Sequence, residues 1–217
     1  MVSGNRGWKN RWVLLCGVLI LLVTGYGLWG KQDSDYSLSS GEEKEASHLP
    51  DFRYTDQNGK VIGMDQLKGE IWLANQVFTR CPDICSPMTA NMARVQQELK
   101  EAGLDIRIVS FSVDPEHDTP KVLKRFGENL KVDFSNWHFL THEKEEQMHQ
   151  FLKQSFKAPI KKRIPKSPGD VMTISHSSRF YLIDPGGKIR GTYNGLQPDY
   201  ARIVSDASKA AIAVSAK

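Results

Sequence analysis

The sequence has little cysteine, no strong run of one charge sign and a single long apolar stretch. Three cysteines occur in 217 residues, and just two of them, Cys81 and Cys85, fall in the part that reads as a folded domain. Two thiols fall short of the four protein ligands that structural zinc usually takes. There is no polybasic tract and no nucleic-acid motif, and the formal net charge is only +4, which argues against nucleic-acid binding. The basic run KKRIPK at 161–166 reads as a solvated loop, with docking to an acidic partner as the minor alternative. No internal repeat is apparent. With 40% hydrophobic and 25% charged residues, neither disorder nor a multispanning membrane protein is indicated. A chain of this length accommodates one domain with a real core plus an appendage.

What is there begins with WVLLCGVLILLVTGYGLW at 12–29, an uncharged stretch close to the roughly 20 residues that cross a bilayer as a helix. Arg6, Lys9 and Arg11 precede it, and acidic residues follow. The positive-inside bias therefore places 1–11 in the cytoplasm and the rest outside, as in a single-pass protein of a bacterial cell membrane. The stretch ends in Gly27-Leu28-Trp29-Gly30, without the small-residue pattern of a cleaved signal peptide, and Cys16 lies inside it after Leu15, unlike a lipoprotein cysteine. No Arg- and Ser-rich amphipathic helix precedes it, which argues against a mitochondrial address. Residues 30–48 are polar and read as a flexible tether, and 49–217 as the domain.

Within that domain the patterns alternate between strand and helix. FRYTDQNGKVIGM predicts a hairpin around Asn58-Gly59. EIWLANQVF (70–78) predicts a strand buried on both faces, and the run after Pro87 repeats Met88, Met92, Val95 and Leu99 at helical spacing as far as Gly103. DIRIVSFSV predicts a second strand, with Asp118, Thr119 and Pro120 opening a helix, and NWHFLTH a third with its own helix. After a Pro- and Lys-rich loop at 157–172 come two strands around Asp184-Pro185-Gly186-Gly187 and a last helix. This element order is that of an α/β thioredoxin-like sandwich, a mixed central sheet covered on both faces.

FTRCPDICSPM (78–88) therefore sits on a strand-to-helix junction. A cysteine at a helix N-terminus feels unpaired N–H groups and the positive end of the dipole, which favour thiolate. Redox exchange and soft-metal ligation both need thiolate. Side chains four apart on a regular helix have Cβ atoms about 5–6 Å apart, whereas a disulfide wants about 3.5–4.5 Å, so the loop has to bend. Three residues, Pro82, Asp83 and Ile84, separate the cysteines where thioredoxins have two. The extra residue leaves room for a metal without forbidding a disulfide. Two thiolates and an imidazole suit Cu(I) or Cu(II). The bland alternative is a pair of cysteines packed as small hydrophobes.

Periodicity alone singles out no histidine. His48 lies in the tether, His149 on a charged helix face that reads as solvated, His138 in a strand as a core residue, and His142 and His117 at helix starts. His176 follows the long loop and opens the late hairpin.

Three blocks, FTRCPDICSPM, SFSVDPEHDTP and ISHSSRFYLIDPGGKI, closely resemble, in order and spacing, the signature blocks of the Sco (SenC) family of membrane-anchored copper proteins. The resemblance covers most of 49–213. It implies a thioredoxin-like fold and a role in assembling cytochrome c oxidase: delivering copper to the dinuclear copper site of subunit II, or keeping that site's cysteines reduced. It implies Cys81, Cys85 and His176 as copper ligands, with Cys81 and Cys85 also able to form a disulfide. The partners it implies are subunit II and other copper chaperones or thiol reductants. Asp114 and Asp118 fall in the DPxxDTP block; Asp118 is assigned chiefly to helix capping and Asp114 to positioning the strand end. Met88 is expected to pack in the core rather than ligate. His142, where the family commonly has glycine, and His117 depart from the pattern without touching the ligands. A metallochaperone is thus the first reading and a thiol-disulfide oxidoreductase the alternative. A thiol peroxidase ranks low, because Thr79 and Arg80 are not spaced from Cys81 as that chemistry requires.

Overall fold

The computed structural model describes residues 48–215 except 168. The expected membrane segment 12–29, the cytoplasmic residues 1–11 and nearly all of the tether lie outside the described residues. Among those described, no helix is long and apolar enough to cross a membrane.

Strands β1 (Arg53–Asp56) and β2 (Val61–Gly63) form the expected hairpin. Gly59 takes φ +80° at its turn, where Asp56 Oδ1 accepts the N–H groups of Asn58 and Lys60. A short helix α1 (Met64–Leu67) follows directly, where the sequence pattern had continued the strand. Then come β3 (Trp72–Val77), α2 (Cys85–Glu101), β4 (Arg107–Ser112), α3 (Pro120–Asn129), β5 (Trp137–Thr141) and α4 (Glu145–Phe156). The chain finishes with β6 (Lys161–Arg163), β7 (Thr173–Ser175), β8 (Arg179–Ile183), β9 (Ile189–Asn194) and α5 (Tyr200–Ser215).

Seven strands make one mixed sheet in the order β2-β1-β5-β4-β3-β8-β9, with β3, β4 and β5 parallel at its centre. The remaining pairings in it are antiparallel. Alternation along β3 shows how the sheet divides the core: Trp72 and Ala74 face one apolar cluster, Leu73 and Val77 the other. Helix α4 covers the first face with Met148, Phe151, Leu152 and Phe156. Helices α2, α3 and α5 cover the second with Met88, Met92, Val95, Leu99, Leu123, Ile203 and Ala207. The mixed, two-faced α/β architecture expected from the sequence is therefore present.

A strand appears where a loop is expected. Within 157–172 the chain forms β6, which pairs with β7 just beyond that stretch, setting Lys162 opposite Ile174, as a separate two-stranded sheet. Ile160 and Ile174 reach down into the core, which is what gives this hairpin a buried side.

Candidate functional site

The site lies beyond the carboxyl ends of the parallel strands, where open α/β sheets commonly bind ligands. Strand β3 is buried throughout and ends at Val77; residues 78–84 then cross to the start of α2 at Cys85. This helix begins two residues ahead of Pro87, which is tolerated because the first-turn N–H groups have no partner within the helix. Its N-cap, Ile84, supplies no side-chain cap. Instead, the backbone N–H groups of Asp83, Cys85 and Ile84 point at the Cys81 sulfur.

The loop is tied down by buried polar groups. The Thr79 hydroxyl donates to Asp118 Oδ1, its N–H reaches Oδ2 at 3.4 Å, and the Ser112 hydroxyl donates to Oδ2 at 2.6 Å. Asp118 is fully buried, and burial raises its pKa against the opposing pull of those hydrogen bonds. The assignment of Asp118 to helix capping needs correction. Thr119 is the N-cap of α3, accepting from the Val122 N–H at 3.4 Å, because the Asp118 carboxyl is turned inward beneath Thr79. Arg80 donates from Nε and Nη2 to Oδ2 of buried Asp114, at 3.0 and 2.6 Å, while the Asp114 N–H donates to Ser112 Oγ. Asp114 thus holds the cysteine loop to the end of β4, in keeping with its expected role.

The two thiols are free and unlike. Cys85 is 1% exposed, and burial, reinforced by the neighbouring Cys81, raises its pKa. Cys81 is half-buried. Burial raises its pKa too, but the N–H groups of Asp83, Cys85 and Ile84 and the Cys85 side chain outweigh that and leave it below the usual thiol value.

His176 follows β7 directly. Its Nδ1 lies 2.9 Å from the Ser177 carbonyl, which can only accept, so Nδ1 carries the proton and Nε2 presents a lone pair. Nε2 is 3.1 Å from Cys85 Sγ, so the thiol proton bridges the two. Burial keeps the imidazole pKa below the ordinary value, opposed by the Ser177 hydrogen bond. The Ser177 N–H donates to Gln76 Oε1 at 2.9 Å, fixing the peptide after His176 to the end of β3. A groove of about 340 Å³, lined by Cys81, Pro82, Ile84, Ile174 and His176 among others, opens the site to the outside.

Two residues 91 positions apart in sequence, Cys85 and His176, are therefore in contact. Cys81 stands beside Cys85 without completing a tight trio. Among the described residues, the one group of three ligand atoms within 4.8 Å of one another is Asp114, Glu116 and Glu145, which surrounds the Lys162 ammonium. Four of the other five histidines are engaged elsewhere. His138 pairs with Asp56, His142 with Gln147, and His48 with the Leu49 carbonyl. His149, expected on a solvated face, instead donates from Nε2 to the Val113 carbonyl at 2.7 Å. Met88 is fully buried, as expected of a core residue.

The donor set fits copper as a bound cargo. It offers two sulfurs, one of them shifted toward thiolate, and an imidazole nitrogen whose lone pair is oriented by the hydrogen bond on its other nitrogen. Sequence reasoning did not identify Arg80 and Lys162 as parts of this architecture; their partners Asp114, Glu116 and Glu145 are 17 to 46 residues away and carry no spacing signal.

The SCO1/SenC family pattern matches residues 40–211. The chain is 45% identical over 160 residues to the SCO1 protein homolog of Bacillus subtilis, spanning 73% of this chain and 80% of that protein. It superposes with a TM-score of 0.67 and 41% identity on BsSco, a member of the Sco family of cytochrome c oxidase assembly proteins in which a disulfide switch was identified; 78% of this chain and 96% of that one are covered. ScoI of Bradyrhizobium japonicum, solved with copper bound, is 26% identical with a TM-score of 0.63 over 75% of this chain and 99% of that one. The mixed sheet described above is the Sco-like thioredoxin fold.

Proposed function

The chain belongs to the SCO1/SenC family, and on that premise we propose that it binds copper through Cys81, Cys85 and His176 and delivers it to the dinuclear copper site of cytochrome c oxidase subunit II. The observation that carries this reading is the 3.1 Å contact between Cys85 Sγ and the unprotonated Nε2 of His176. A thiol proton now occupies the place between two soft-metal donors, and copper entering there displaces it, so uptake releases protons. Cys81, beside Cys85 on a loop whose helix N-terminus stabilises its thiolate, is the third donor. The copper-bound relative and the oxidase-assembly relative support the same reading. We place the domain on the outer side of a bacterial cell membrane, anchored by residues 12–29, from the charge asymmetry around that segment.

The test is an anaerobic copper titration of the full chain. Wild type is expected to take up copper, and the Cys81→Ala/Cys85→Ala double variant to take up none. A stoichiometry unchanged in the double variant contradicts the proposal.

The asymmetry of the thiols favours a second activity on the same pair. Cys81, accessible and shifted toward thiolate, attacks a partner disulfide and releases one partner thiolate. Cys85 then loses its proton, attacks the Cys81 sulfur and releases the second, so this chain ends as the disulfide and the partner is reduced by two electrons. His176→Ala separates the two activities: full oxidase assembly in that variant favours thiol exchange, and lost assembly with intact redox cycling favours copper delivery.

A further inference from the structure

Beside the site lies a charged cluster to which the copper reading assigns no role. Asp114 is fully buried; its Oδ2 accepts from Arg80, while its Oδ1 makes no hydrogen bond and faces Lys162 Nζ at 4.0 Å. Lys162 sits in the middle of β6 and donates to Glu145 Oε2 on α4 at 2.7 Å and to Glu116 Oε2, just past β4, at 2.9 Å. Arg80, next to Cys81 in sequence, also brings Nη2 to 3.7 Å from the sulfur of Met172, immediately before β7. One buried carboxylate therefore stands between a cation of the cysteine loop and a cation of the hairpin that leads into His176.

A two-stranded ladder of three residues per strand is marginal by itself. Ile160 and Ile174 give it apolar contact with the core, but apolar contact does not fix direction. Lys162 does, because its ammonium is held by carboxylates from two different elements. Burial works against its charged form, and the Glu145 and Glu116 hydrogen bonds outweigh that, so the clamp stays charged.

We propose that Lys162 is a positioning residue: its clamp on Glu116, Glu145 and Asp114 holds the β6–β7 hairpin over the cysteine loop and so sets His176 Nε2 against Cys85. Gln76 fixes the peptide after His176, and Lys162 supports the strand pair before it. The copper part of this inference rests on the function proposed above, whereas the placement of the hairpin does not.

The experiment compares the full chain as wild type, Lys162→Met, Lys162→Arg and His176→Ala. Without copper, Lys162→Met is expected to raise amide hydrogen exchange in β6 and β7 about tenfold while β3 and β4 stay unchanged. The His176 ring-nitrogen NMR signal is expected to move away from its hydrogen-bonded position. Loaded with Cu(II), the same variant is expected to keep wild-type stoichiometry, lose affinity about tenfold and shift its nitrogen hyperfine pattern toward that of His176→Ala. Lys162→Arg restores all of these. Wild-type exchange and a wild-type imidazole signal in Lys162→Met overturn the proposal; so does faster exchange with the imidazole signal unmoved, which makes Lys162 a stabilising residue only. If Lys162→Met does not fold, Glu145→Gln removes the clamp from the other side and is read against the same outcomes. A wild-type chain that takes up no copper overturns the copper reading, and the metal-free measurements still decide the role of Lys162.

Discussion

Residues 78–88 hang from the buried ends of β3 and β4, and two of their side chains are tied to fully buried carboxylates: Thr79 to Asp118, Arg80 to Asp114. The segment that leads into His176 is held differently. Its strands are three residues long, two of its three β6 side chains point into solvent, and one of its clamping carboxylates, Glu116, is 65% exposed. Its ties to the central sheet at the site all run through Ser177, whose N–H donates to Gln76 and whose hydroxyl meets Tyr181 OH and the Arg179 N–H on β8. The thiol half of the site is thus built as part of the core, and the imidazole half is applied to it from outside. For the copper cargo proposed above, that division keeps the sulfur donors fixed and leaves the imidazole as the donor with the lighter support.

The sharpest way to break the comparison is to cut the buried support. Asp118→Ala leaves the Thr79 and Ser112 hydroxyls without their acceptor in the interior and is expected to lower stability by about 2–4 kcal/mol in urea denaturation. A loss below about 0.5 kcal/mol, the size of a surface substitution, contradicts the buried role given to Asp118. His176→Ala is expected to fold with wild-type stability and to weaken copper by about 10-fold or more, read by competition with a chelator. An unchanged affinity removes His176 from the site.

The thiols offer a smaller, kinetic contrast. At neutral pH, iodoacetamide is expected to label Cys81 first, at least about tenfold faster than Cys85, by peptide mass spectrometry. Because the Cys81 pKa is lowered, its reactivity persists below the usual thiol range and falls only as acid reprotonates it; Cys85, with a raised pKa, gains reactivity only in alkali. Equal rates contradict the asymmetry. Salt gives the smallest effect. At about 1 M sodium chloride, screening of the exposed Glu116 pair is expected to loosen the hairpin slightly, seen as faster exchange in β6 and β7 and none in the cysteine loop.

These two regions were also unequally legible in the sequence. The strand, cysteine loop and helix at 70–103 follow from local signals: a continuous apolar run, helical spacing from Met88 to Leu99, and Gly103, which closes α2 in the left-handed conformation at φ +75°. The sequence pattern shows a loop over β6 and no strand at β7, because KKR and TIS are too short to show alternation and what stabilises them is tertiary: Ile160 and Ile174 in the core and Lys162 on distant carboxylates. Asp118 was misread for a related reason. Asp, Thr and Pro in a row leave the choice of N-cap open, and only the position of Thr79, 39 residues away, decides that Asp118 faces inward. His176 was reached through resemblance to the Sco blocks, since its 91-residue separation from Cys85 leaves no local trace.

The central claim, that copper is held between the two sulfurs of the loop and the imidazole of the hairpin, is tested most directly by X-ray absorption at the copper edge of the loaded full chain. The expected coordination shell contains two sulfur scatterers and an imidazole, and His176→Ala loses the imidazole while keeping both sulfurs. A wild-type shell without sulfur, or one whose imidazole persists in His176→Ala, contradicts the account.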